Sequence, residues 1–299
     1  MIGLTLKHLR YFDALARHRH FGRAAEACAI SQPALSLQIK ELEGMLSASL
    51  VERTARQVRL TALGEDFLGR ARRILLAVDE LEDLVRASRG PLAGRLRLGM
   101  IPTVAPYLLP RVITALSVEF PELELELRET VTTSLIADLL ASRLDLAIVA
   151  LPISEPALRE YALFREEFVL VRPSTDRAKP VPNPKSLGTM RLLLLEEGHC
   201  FRDQALSFCK LSDKQPRQVM EGSSLSTLVQ MVGAGMGVTL IPDMAVALET
   251  RASDVSVARF PAPAPARTVG MVWRKTNPLA EQLVQIGAIV RAASRRSAA

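Results

Sequence analysis

Two cysteines stand nine positions apart in GHCFRDQALSFC, residues 198–209, with a histidine, an arginine and an aspartate alongside. A thiol reacts as its thiolate, and a helix N-terminus, a nearby cation and an imidazole each favour that form. His199 and Arg202 therefore make Cys200 the better nucleophile of the two. Read as a helix, the segment advances about 13.5 Å over nine residues and turns roughly 900°, which sets Cys200 and Cys209 on opposite faces. A disulfide requires Cα atoms within about 7 Å. Any bond between them thus demands that the segment unwind and give up the packing of Phe201, Leu206 and Phe208. Three readings stay open at this point: buried apolar fillers, a redox pair, or zinc ligands together with His199, which lack a fourth donor nearby. Cys28 has no partner in sequence and reads as a small core residue.

The elements that must hold this chemistry follow from composition and periodicity. A chain of 299 residues, 48% hydrophobic and 23% charged, has the makings of two or three globular domains. No apolar run approaches the roughly 20 residues of a membrane span. The N-terminus shows no secretory signal, and three cysteines make no disulfide framework, so a cytoplasmic protein is expected, with any disulfide transient and regulatory. The net charge of +6 is concentrated: residues 1–60 hold nine Lys or Arg against five Asp or Glu. An anionic partner for that end is implied.

Residues 5–18 repeat apolar side chains with helical spacing, residues 21–27 form a second short helix, and Ser31 can cap a third, with Pro33 in its first turn and Leu35, Ile39 and Leu42 buried. That third helix keeps Gln32, Ser36, Gln38 and Lys40 off its core face, where amide, hydroxyl and ammonium groups suit phosphates and base edges. Arg53, Arg56 and Arg59 are spaced along two short extended arms that read as a wing. From Thr61 to Ser88, Phe67, Ala71, Ile74, Val78, Leu81 and Val85 alternate steps of four and three, a heptad seam for a partner helix. A hinge follows over 89–94. Beyond it strands and helices alternate, which predicts parallel sheets in two lobes with a ligand cleft at the switch points. The cluster Ser223, Ser224, Ser226 and Thr227 is expected to cap a helix.

The first sixty residues closely resemble the winged helix-turn-helix of LysR-type transcriptional regulators: helix order, the Ala24-Ala25 pair, SQPALS at 31–36, Leu42-Glu43 closing the recognition helix, and Glu52-Arg53 before the wing. The remainder is similar to that family's linker helix and periplasmic-binding-protein-like effector domain. Within the family, GMIPTVAPYLLP and EEGHCFRDQALSFC look like the peroxide-sensing OxyR branch. The resemblance implies an α/β chain with a winged helix-turn-helix at 1–60, a dimerising linker helix and hinge at 61–90, and a two-lobed regulatory domain at 91–299. Lobe I would span about 91–163 and 268–299, and lobe II about 164–267.

It further implies a non-enzymatic regulator of oxidative-stress genes that needs no cofactor or metal. Cys200 would be the peroxidatic thiol, oxidised to a sulfenic acid, and Cys209 the resolving one. His199, Arg202 and Asp203 would support the reaction, Asp203 as a proton relay, while Thr103 holds the peroxide and Arg267 adds positive charge. Ser31, Gln32, Pro33, Ser36 and Lys40 would present the recognition helix to the major groove, with Arg53 on phosphate. The partners implied are double-stranded operator DNA, hydrogen peroxide, a homodimer through the linker helix assembling into a homotetramer, RNA polymerase and a cellular thiol reductant, with no membrane. Two other readings compete: a LysR-type regulator of a small organic effector bound between the lobes, and a thiol peroxidase.

Overall fold

The computed structural model describes residues 3–53, 58–87, 92–208 and 220–295. They fall into two compact units, Met1–Val85 and Arg86–Ala299. Among the described residues no helix is long and apolar enough to cross a membrane.

The first unit starts with α1 (Leu6–His18), α2 (Phe21–Ala27) and α3 (Gln32–Leu46). Each helix begins where a side chain satisfies its free N–H groups. Thr5 and His8 form a reciprocal capping box, the His20 imidazole accepts from the Gly22 and Arg23 amides, and Ser31 Oγ accepts from the Ala34 amide at 3.3 Å. The periodic apolar positions Phe12, Leu15, Leu35, Ile39 and Leu42 are fully buried together. A two-stranded wing follows, β1 (Val51–Arg53) antiparallel to β2 (Val58–Leu60). Glu43 fastens it to the end of α3 by accepting from the Leu50 and Val51 amides at 2.8 and 3.0 Å.

Helix α4 (Ala62–Ala87) then changes character along its length. Gly64 lets it start against the wing, since a Cβ there would lie 2.1 Å from the Leu50 carbonyl oxygen. Leu68 and Ala71 are buried in the core of this unit and Phe67 meets Phe12 edge to face, ring centroids 5.5 Å apart. Only farther on does the expected seam stand open, with Ile74 46%, Leu81 63% and Val85 51% exposed. The heptad reading therefore needs correcting at Phe67 and Ala71, which their own unit covers.

The second unit contains β3 (Gly94–Met100), α5 (Ala105–Glu119), β4 (Leu123–Glu129), α6 (Thr132–Leu140), β5 (Leu146–Leu151) and the long β6 (Leu158–Pro173). After β6 come α7 (Pro184–Leu187), β7 (Leu193–Leu195), α8 (Cys200–Phe208), β8 (Met220–Gly222), α9 (Leu225–Gly233) and β9 (Thr239–Pro242). The chain closes with α10 (Val246–Glu249), β10 (Val255–Arg259), β11 (Ala266–Arg274) and α11 (Ala280–Arg295). One seven-stranded sheet runs β10-β6-β11-β5-β3-β4 with β9 also on β6, while β7 and β8 pair separately.

Strand β3 is parallel to β4 and β5, as alternation predicts, but β11 is antiparallel to both β5 and β6. Expecting purely parallel sheets was an error. β11 returns from the far side of the second unit and enters the sheet from the opposite end, a direction that local periodicity does not encode. Two hydrophobic cores result, one around Leu98, Ile148, Trp273 and Ile286, the other around Phe168, Leu193, Phe201 and Leu240. β6 serves both, giving Leu158 and Leu163 to the first and Phe168 through Val171 to the second. Each such aliphatic side chain contributes about 1.5–3 kcal/mol on burial.

Candidate redox cleft and nucleic-acid face

Cys200 is the first residue of α8 and half-buried. It packs against the first core, while its neighbour Phe201 lies in the second, 4.8 Å edge to face from Phe168. Phe208, at the other end of the helix, packs edge to face on Phe260 at 5.1 Å. Cys209 lies outside the described residues, as do 210–219. Along the eight residues to Phe208 the helix already rises about 12 Å, so the unwinding argument applies to the folded segment.

The wall opposite Cys200 comes from the carboxyl ends of two adjacent parallel strands. Past β3, the turn carrying Thr103 is closed by the Val104 and Ala105 amides, both donating to the Ile101 carbonyl at 3.0 Å. Past β4, α6 opens with Thr132. Ile101, Pro102, Thr103, Val131, Thr132, His199, Cys200 and Phe201 enclose a narrow cleft of about 160 Å³, too tight for a water molecule as it stands. Two helices, α6 and α8, begin at this cleft with Thr132 and Cys200, and their N-terminal dipole ends suit a group that develops negative charge there. The Thr132 hydroxyl is buried without a hydrogen-bond partner. Sequence reasoning missed it, although its place just past a parallel strand, matching that of Thr103, was a signal in reach.

Arg267 reaches Thr103, on the wall of the cleft, from β11. Only 3% exposed, it donates from Nη1 to Thr103 Oγ1 at 2.7 Å and from Nη2 to the Thr103 carbonyl at 2.9 Å. Its Nε and Nη2 meet Glu166 Oε2 at 2.8 and 2.7 Å, and its guanidinium lies 5.6 Å from the Phe201 ring centroid. Burial pushes the Glu166 carboxyl upward in pKa, and Arg267 opposes that shift. Glu166 was not anticipated.

Other expected supports stand elsewhere. Arg202 donates to Glu221 Oε1 at 2.7 Å and to the Leu195 carbonyl at 3.1 Å, so its charge is spent on β8 rather than on Cys200. Asp203 is exposed in the first turn of α8, where an acidic group complements the dipole. His199 lines the cleft, but burial lowers its pKa, with Glu196 pulling the other way. It is held toward the neutral imidazole. Burial also raises the Cys28 thiol, opposed by Arg17.

Beside the redox cleft is an open cleft of about 880 Å³ lined by Tyr107, Glu129, Glu196, Ser224, Ser226 and Glu249 among others. Several of its polar groups are engaged. Ser224 caps α9, and Tyr107 and Ser226 both donate to Glu249 at 2.6 Å. Burial, then Glu249, raises the Tyr107 hydroxyl far above its ordinary pKa, so it stays a donor.

In the first unit, Ser31, Gln32, Pro33 and Lys40 are exposed and Ser36 is partly so, all away from the buried stripe of α3. Arg53 is placed by its backbone in β1, and its side chain, like Arg56, lies outside what is described. Leu37, unremarked in the sequence, is 55% exposed and stands about 160° round the helix from Leu35 and Ile39. It adds an apolar spot, of the kind that meets thymine methyl groups, to a polar face.

Residues 6–65 match the family described as bacterial regulatory helix-turn-helix protein, lysR family, and residues 89–294 match the LysR substrate binding domain. The chain is 42% identical over 296 residues to a probable hydrogen peroxide-inducible genes activator of Streptomyces viridosporus, covering 97% of this chain and 95% of that protein. It is 40% identical over 293 residues to the DNA-binding transcriptional dual regulator OxyR of Escherichia coli K12, with 97% and 95% covered. Among solved structures, full-length OxyR of Pseudomonas aeruginosa with a cysteine-to-aspartate substitution superposes with a TM-score of 0.76 at 37% identity, over 96% of this chain and 95% of that one. A hydrogen peroxide-bound cysteine mutant of Corynebacterium glutamicum OxyR gives 0.67 at 35%, over 98% and 93%. Both units are thus accounted for by one lineage, and the chain belongs to the LysR family of helix-turn-helix regulators, in its OxyR branch.

Proposed function

We propose that this regulator senses hydrogen peroxide by forming a reversible Cys200–Cys209 disulfide and so controls oxidative-stress genes. The observation that carries the reading is the meeting of two helix N-terminal ends, those of α6 and α8, at a cleft walled by Cys200, Thr103 and Thr132. Cys200 attacks one peroxide oxygen as the thiolate, the O–O bond breaks, and the departing hydroxide takes a proton to leave as water. In this reading Asp203, exposed to solvent one turn from Cys200, relays that proton. Cys209 then attacks the resulting sulfenic sulfur, a second water departs, and the disulfide closes. Because α8 separates the thiols, closure unwinds it and pulls Phe201 and Phe208 from the second core. That couples a two-electron oxidation to a change of shape. A cellular thiol reductant resets the switch.

The domains divide the work: 1–60 binds operator DNA, 61–90 pairs two chains, and the lobes at 91–163 with 268–299 and at 164–267 hold the sensor. Ser31, Gln32, Pro33, Ser36 and Lys40 face the major groove, Arg53 meets phosphate, and two dimers on one long operator contact RNA polymerase. An organic acid as effector is disfavoured, since Glu129, Glu196 and Glu249 line the wider cleft and the Tyr107 and Ser226 hydroxyls are already bonded to Glu249.

The reading is tested by treating reduced protein with one equivalent of peroxide, mapping thiol pairing by mass spectrometry and footprinting the operator on the same samples. A Cys200–Cys209 link appearing with an altered footprint is expected, and Cys200→Ser should bind DNA yet show no peroxide response. A full response in that variant sinks the proposal. Repeated peroxide turnover with thioredoxin or glutaredoxin would instead mark a peroxidase.

A further inference from the structure

Glu166 has no part in the chemistry above, yet it is 6% exposed and bonded to the residue that holds Thr103. We infer that Glu166 is a positioning residue for the peroxide site, which acts through Arg267 to commit the Thr103 hydroxyl proton to the cleft beside Cys200. The inference rests on the peroxide-sensing reading and deepens it.

A threonine hydroxyl has one proton to give and two lone pairs, whereas a guanidinium only donates. Arg267 Nη1 occupies a lone pair of Thr103 Oγ1 at 2.7 Å, so the hydroxyl cannot donate back along that line. Nη2 simultaneously holds the Thr103 carbonyl at 2.9 Å, which fixes the residue at two points. Thr103 otherwise faces the wider cleft, which adjoins at Pro102, Val131 and His199, and the narrow cleft it shares with Cys200 and Thr132. A proton directed there meets the sulfur or a peroxide oxygen, and donation to the departing oxygen assists O–O cleavage.

This depends on the guanidinium keeping one orientation, and Glu166 supplies the constraint. Its Oε2 takes both Nε and Nη2 of Arg267, and its Oε1 accepts from the Met244 amide at 3.3 Å. The carboxylate is thereby pinned from the far side and balances a charge that would otherwise be buried alone. Glu166 lies on β6 and Arg267 on β11, facing each other in register, so the sheet itself sets the pair. Three separate segments, β6, β11 and the turn after β3, thus converge to aim one proton.

The test is a double-mutant cycle on the full-length reduced protein, with the rate of Cys200 oxidation by hydrogen peroxide followed by quenched-flow alkylation and peptide mass spectrometry. Each variant is first checked for operator binding, so that rates are read only from folded protein. Glu166→Gln and Thr103→Val are each expected to slow oxidation tenfold or more, the double variant to be no slower than Thr103→Val alone, and Thr103→Ser to recover most of the rate lost in Thr103→Val. A wild-type rate in Glu166→Gln overturns the inference, as do two effects that multiply in the double variant. If Glu166→Gln fails the folding check, Arg267→Lys takes its place in the cycle, because an ammonium cannot span Glu166 and both Thr103 oxygens, and the same outcomes decide. Wild-type protein whose Cys200 ignores peroxide would bring down the sensing reading and this inference together, while a reactive wild type with a multiplying cycle brings down the inference alone.

Discussion

Single residues of one type behave differently here because their surroundings do. Cys28 is raised by burial in the first unit, and Cys200 opens a helix at a cleft where two N-terminal ends meet. His199 makes the point quantitatively testable. Burial depresses its pKa below the ordinary 6.5, so the folded state favours the neutral ring. The unfolded chain therefore binds the proton more readily, and the associated stability is intact above about pH 6.5 and lost as pH falls through the lower folded value. Urea titrations of the reduced protein between about pH 7 and pH 5 should show stability falling with acid, and His199→Gln should flatten that slope. Equal slopes in the two proteins would remove His199 as the cause. The cysteine pair and its helix were legible from residue types and spacing alone. The neutral state of His199 was not, since it depends on what covers the ring.

Elements show the same division. Helix α4 is one uninterrupted pattern in sequence, yet it does two jobs, core packing through Leu68 and Ala71 and exposure at Ile74, Leu81 and Val85. Leu68→Ala should cost the first unit about 2–5 kcal/mol in thermal or urea unfolding, through lost burial and the cavity left behind. Leu81→Glu should leave that unfolding unchanged and weaken self-association in sedimentation equilibrium, because it charges the open part of the seam. Dimers that persist in Leu81→Glu would place the subunit contact elsewhere. The recognition helix was readable to its cap, since Ser31, Pro33 and the Leu35, Ile39, Leu42 stripe are local signals. Why Glu43 closes it became clear only when the wing amides came within 3.0 Å.

At the scale of the regulatory unit, two cores share β6, and α8 touches both: Cys200 packs on one and Phe201 on the other. Refolding α8 should therefore disturb the second core and spare the first. The chain's single tryptophan reports on that distinction, for Trp273 is fully buried in the first core, beside Tyr161 at 6.1 Å and under Arg159. Its emission maximum should be the same in reduced and peroxide-oxidised protein. A red shift on oxidation would show that the first core opens as well.

Much of this molecule was determined by the sequence alone. Local patterns of period 3.6 and 2, caps and charge distribution specify the winged helix-turn-helix, the alternating strands and helices, and a helix that opens on Cys200. Those features depend on neighbours within a few turns of chain, which a sequence displays directly. Tertiary structure decided the antiparallel course of β11, the meeting of Thr103 with Arg267 and Glu166, and the arrival of Thr132 beside Cys200. Thr103 and Arg267 are 164 residues apart, and Glu166 and Arg267 are 101. Contacts at such separations are set by which strands become neighbours and in which register, an outcome of global packing that no local pattern records.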